Sequence, residues 1–110
     1  MTAEMLIVTI GGLRCAVPME RVLEVRVHQG STRIPGSPDW VCGVIEREGV
    51  ATQVVDAARR HGRQLTFDER NCLVFVEGRG AMLVDGVEGI AEVSDDSVVI
   101  DLDQMFGGAA

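Results

Sequence analysis

Apolar and polar side chains alternate with a period of two along most of this chain, in short stretches separated by glycine-bearing turns. That period puts successive side chains on opposite faces of a β-strand. Residues 5–10 read as one strand and residues 13–17 as the next, with Gly11 and Gly12 as the hairpin turn between them. Pro18 opens a single helical turn, since proline suits the first helical position. Residues 23–27 alternate again, with Leu23, Val25 and Val27 on one face and Glu24 and Arg26 on the other. After a loop over 28–38, residues 40–45 and 50–55 predict a second hairpin. A helical turn over 57–61 stops at Gly62, and residues 63–70 are expected to be a polar, mobile loop. Strands follow at 72–76 and 81–84 around the turn Gly78-Arg79-Gly80, then at 86–93 and 98–100 around a loop at 94–97. A capped helical turn at 101–106 and a frayed tail at 107–110 close the chain.

Eight or nine short strands with no long amphipathic helix predict an all-β barrel or sandwich. A chain of 110 residues suits one domain, and 46% hydrophobic with 25% charged residues is the balance of a folded protein. The formal charge of −7 argues against nucleic acid as a partner. All ten basic residues are arginine, the better residue for bidentate contacts with carboxylates, although a composition bias accounts for the pattern as well. The longest apolar run, residues 5–10, is far short of the roughly 20 residues of a membrane span. Met1-Thr2-Ala3-Glu4 has no basic leader, so a cytoplasmic location is expected, without direct membrane insertion.

The residues that could carry chemistry do not converge. Cys15, Cys42 and Cys72 are odd in number, widely spaced and set among aliphatic residues, so they are expected to be small buried hydrophobes rather than a zinc site or a disulfide framework. His28 and His61 are expected to be solvated. Ser31, His61 and Asp56 lack the nucleophile elbow of a hydrolase triad. Asp95, Asp96, Asp101 and Asp103 lack a calcium-loop pattern. Asp85, before Gly86, is expected to serve the backbone. The expectation is a binding module with no catalytic residue, cofactor or metal.

The chain resembles the CheW-like adaptors of bacterial chemosensory arrays. The resemblance runs from about Leu6 to Phe106, and its strongest block is Arg33-Ile34-Pro35, Pro38, Trp40-Val41 and Gly43-Val44-Ile45. Gly49, Val54-Val55-Asp56, the segment from Leu83 to Ile90, and Ile100-Asp101-Leu102-Asp103 follow in the same order. The resemblance implies a single domain over 1–110, with its core at 5–106, made of two small SH3-like β-barrels side by side. It also implies an apolar groove for the helical signalling tip of a methyl-accepting chemoreceptor, with Val22, Glu24, Val25, Gly43 and Val87 at the matching positions. A barrel end of such proteins binds the regulatory domain of a histidine kinase. Two departures bear on that end. The turn Glu46-Arg47-Glu48-Gly49 places Glu48 where the family has arginine, and a charge reversal in an interface is costly. A strand pair is also missing between Val98 and Val99, which should truncate one barrel and open a strand edge. The chain is therefore similar to short, divergent members of the FrzB type. It is expected to bind a receptor and tune array assembly with kinase binding in doubt. The alternatives are a conventional receptor–kinase scaffold and a module that self-associates through the opened edge.

Overall fold

The computed structural model describes residues 3–93 and 98–107. The strands are β1 (Ala3–Ile10), β2 (Leu13–Pro18), β3 (Val22–Val27), β4 (Val41–Arg47), β5 (Val50–Asp56), β6 (Cys72–Val76), β7 (Gly80–Val84) and β8 (Gly86–Val93). A 3-10 turn, Met19–Arg21, joins β2 to β3, and two short helices follow β5 and close the chain: α1 (Ala57–Arg60) and α2 (Leu102–Phe106). Each helix is too short to stand on propensity and begins at an aspartate cap. Asp56 accepts from the Arg59 N–H at 3.0 Å, and Asp101 from the Gln104 N–H at 3.1 Å.

The strands form two sheets, a three-stranded one ordered β2-β1-β8 and a five-stranded one ordered β3-β6-β7-β5-β4. All pairings are antiparallel except β5 with β7, which run parallel. Residues 73–76 and 81–84 are buried on both faces, so β6 and β7 are the spine of the molecule. One apolar cluster spans both sheets, with Leu6, Val8 and Val17 from the first and Val54, Val74, Phe75, Met82 and Leu83 from the second. Leu102, Met105 and Phe106 of α2 complete it. Each of the fully buried aliphatic or aromatic side chains stabilises the fold by about 1.5–3 kcal/mol. The protein is all-β with the paired small sheets expected of SH3-like barrels.

Several local expectations are corrected. Residues 98–100 do not form a laddered strand. They meet β2 through one parallel bridge, Ala16 to Val99, held by Ala16 N–H to Val98 O at 2.9 Å and Ile100 N–H to Ala16 O at 3.0 Å. The loop expected between 63 and 70 is tied down: Leu65 is buried, and the Thr66 N–H donates to Asp85 Oδ2 at 3.0 Å. Gly107 belongs to the cap of α2, donating to Asp103 O at 2.7 Å, so the tail begins after it. The loop at 94–97 and the tail at 108–110 lie outside the described residues.

Candidate functional site

β3 and β4 are the two outer strands of the five-stranded sheet, and side chains rather than a ladder join them. Glu24 of β3 takes Arg47 Nε of β4 at 2.9 Å and Arg26 Nε at 3.0 Å. Arg26 reaches Glu46 O at 3.4 Å. Both guanidinium groups lie over the Phe75 ring, Arg26 at 4.7 Å and Arg47 at 5.7 Å from its centroid. The hydrogen bonds from Arg26 and Arg47 hold the Glu24 carboxyl below its ordinary value. Glu24 and Arg26 therefore face the barrel seam, on the side of buried Phe75, which pairs with Glu24 in the ladder.

This inward turn of the charged face sends the apolar face out. Val25 lies opposite Val74, and Val74 opposite Met82, so one row runs from the buried spine to the edge strand. Val74 and Met82 are fully buried, whereas Val25 is 41% exposed. Leu23 (50%) and Val27 (56%) stand out beside it. Single exposed aliphatics are unremarkable, but a run of three on one edge strand is a candidate docking ledge. Val25 is thus not core, and Leu23 and Val27 join it. Their signal was the alternation itself, which cannot say which face points inward.

The other groove candidates are dispersed. Val22 is half-buried against the core cluster at the root of the ledge, next to a bulge that shifts the register between Val22 and Glu24. Val87, on β8 of the other sheet, packs against the same cluster. Gly43 sits far from β3 along the sheet order, at a bulge in β4 with φ of +147°. A Cβ there would run into the Thr32 carbonyl. Gly43 is needed for the close approach of the 30s loop, whose Thr32 N–H bonds Val44 O at 2.9 Å.

The turn candidates also separate. Glu48 and Gly49 both have positive φ, +53° and +80°, the geometry of a two-residue hairpin turn. Arg47 binds Glu24 through Nε at 2.9 Å and pairs with the exposed Glu48 through Nη1 at 3.6 Å, while Glu46 is exposed beside them. Beneath this turn, a cleft of about 510 Å³ opens at the barrel end, with Leu23, Val50 and Arg79 among its lining residues. Val50 is 63% exposed, a residue that sequence reading passed over.

Asp85 serves the backbone as expected: it is buried and accepts from the Gly11 N–H at 2.6 Å and the Thr66 N–H at 3.0 Å. His28 is half-buried rather than solvated; its Nε2 is enclosed without a partner among the described residues, and burial lowers its pKa. Cys15 is buried and Cys42 and Cys72 partly so. Burial pushes the Cys42 thiol up to about 11. Among the described residues no group of three or more His, Cys, Asp or Glu could hold a metal ion, and no helix is long and apolar enough to cross a membrane.

Residues 4–105 match the family model of the CheW-like domain. The chain is similar to the chemotaxis protein CheW of Klebsiella aerogenes, 27% identical over 99 residues that cover 86% of this chain and 60% of that protein. It is 35% identical over 66 residues to the chemotaxis protein CheW of Bacillus subtilis, covering 54% of this chain and 42% of that one. The chain thus spans less than two thirds of the length of these relatives. Its fold matches the scaffolding protein TtCheW of Thermoanaerobacter tengcongensis with a TM-score of 0.78 at 20% identity, over 87% of this chain and 68% of that structure. The match of the family model over nearly the whole chain, with the paired sheets of the fold, establishes that this protein belongs to the CheW-like domain family.

Proposed function

We propose that this protein is a non-enzymatic chemosensory adaptor of the cytoplasm that docks on the helical signalling tip of a chemoreceptor and tunes the assembly of receptor arrays. The observation that carries this reading is the ledge of Leu23, Val25 and Val27, aliphatic and exposed on an edge strand whose charged face is turned inward. A row of aliphatic anchors is what an amphipathic helix needs for helix-in-groove recognition. Val22 at the root of the ledge and Val87 in the neighbouring sheet would extend it, with Glu24 holding the strand in place through Arg47. Micromolar affinity corresponds to about −8 kcal/mol, within reach of a few such anchors.

Coupling to a histidine kinase is the part we propose is lost. Glu48 stands where the family carries arginine, and a reversed charge in an interface opposes binding. Self-association through β8 is the less favoured alternative: its edge, unladdered among the described residues, carries Glu88 and Glu92, charges of the kind that keep edge strands apart. Calorimetric titration against a receptor cytoplasmic tip and against a kinase regulatory domain of the same pathway tests the proposal. Binding to the first alone supports it. Binding to both restores the conventional scaffold, and binding to neither removes the adaptor reading.

A further inference from the structure

A second surface lies away from the β3 ledge. A cleft of about 710 Å³ opens between α1, the 33–42 segment and the 62–67 loop, and it gathers the side chains of Arg33, Arg59 and Arg63. Against them stand Asp39 and Asp56, so the cleft has a formal surplus of one positive charge on a chain whose net charge is −7. Asp56 is engaged as the cap of α1, and Asp39 meets Arg59 only through an exposed pair at 3.4 Å. Such an exposed pair adds little and leaves the guanidinium free to exchange partners. Arg33 uses one Nη on Val41 O at 3.2 Å, and Arg63 uses Nε on Gly11 O at 2.8 Å. These bonds fix the position of each fork and leave its other donors open among the described residues. Cys42, also in the lining, has its thiol raised to about 11 by burial, stays neutral and cancels none of this charge.

Phe67 is also in the lining and is 71% exposed. Its exposure is built in. The Thr66 N–H is held by Asp85, and Asn71 Nδ2 donates to Thr66 O at 2.8 Å and Asp85 O at 3.0 Å. On the other side the Asp68 N–H donates to Asn71 Oδ1 at 3.2 Å. A ring presented to solvent from a loop pinned on both sides loses little freedom on docking, and aromatic and arginine side chains are the usual anchors of protein interfaces.

We propose that this cleft is a docking site for an extended protein segment that carries carboxylates next to an apolar side chain. The carboxylates would take the open donors of Arg33 and Arg59, and the apolar side chain would cover Phe67. The charge surplus sets the sign of the partner, and the arginine fork suits bidentate carboxylate contacts.

The test is titration of the full chain with a synthetic peptide of alternating glutamate and leucine, followed by backbone amide shifts, beside a counterpart with lysine for glutamate. The expected result is saturable shifts around Arg33, Arg59 and Phe67 for the acidic peptide only, weakened by added salt. Phe67→Ser should lower affinity about tenfold or more with the fold unchanged, because the ring is exposed. Arg59→Ala gives a second, independent loss. Equal binding of the lysine peptide, shifts that map elsewhere, no saturable binding, or an affinity indifferent to both substitutions overturns the proposal. So does a molecular mass that rises with concentration in the wild type but not in Phe67→Ser, which would make a second copy the occupant.

Discussion

Replacing Val25 by alanine separates a docking residue from a core residue. The substitution removes two carbons, worth together about 1.6 kcal/mol if fully buried at about 0.8 kcal/mol each. Val25 is 41% exposed, so about 0.9 kcal/mol is already realised in the fold and about 0.7 kcal/mol awaits a partner. Val25→Ala should therefore lower the unfolding free energy by about 1 kcal/mol or less and weaken receptor-tip binding about threefold. Val74→Ala, next to it in the ladder and fully buried, loses the whole transfer energy and leaves a cavity as well, about 2–3 kcal/mol. Extending the change to Leu23 and Val27, by the same reasoning, removes about 3 kcal/mol of docking energy, roughly a hundredfold in affinity. Thermal unfolding by circular dichroism and calorimetric titration with a receptor tip read the two quantities separately. The reasoning is refuted if Val25→Ala unfolds as readily as Val74→Ala, or if the triple variant remains folded and binds like the wild type.

Glu48→Asn should raise stability by about 0.5–1 kcal/mol, because asparagine tolerates the left-handed backbone of this turn better than glutamate does; chemical denaturation measures it. Asp85→Ala should cost about 3 kcal/mol, since it strands the Gly11 and Thr66 N–H groups and frees the loop that presents Phe67, and it should show as faster amide exchange at both sites. Because Arg26 and Arg47 depress the Glu24 pKa, the unfolded chain takes up this proton first as the pH falls. The contribution of Glu24 is thus full above the ordinary carboxylate range and disappears as the pH drops through the folded value, a slope that Glu24→Gln should flatten in acid unfolding curves. Because burial lowers the His28 pKa from 6.5, the unfolded chain takes up this proton first and the fold loses stability as the pH falls below 6.5, a second, higher step that His28→Gln should remove.

Strand positions were legible because a period of two is a local property of the chain and the turns between strands carry glycine. The direction in which β3 faces was not. Glu24 turns inward because Arg47, 23 residues away, meets it across the barrel seam, and alternation names two faces without ranking them. For the same reason the candidates around Glu24 and those around Arg47 looked like two separate sites, although the two residues share one ion pair. That Gly43 is required by the Thr32 backbone beneath it was not legible either, since the contact joins segments apart in sequence. The loop after α1 reads as mobile from its polar composition. Its anchors, Asp85 and Asn71, lie outside it, and so Phe67 passed without notice. Asp85 itself was readable, since aspartate before glycine serves backbone groups wherever the chain turns.

The most direct test of the central claim is backbone amide shift mapping of the protein titrated with a receptor cytoplasmic tip. The account predicts that perturbations are largest on residues 22–27 and extend to Val87, with smaller ones at the Glu48 turn, which Leu23 and the Glu24–Arg47 pair connect to β3. Perturbations centred on the Glu48 turn or on the three-stranded sheet, with β3 silent, would contradict it.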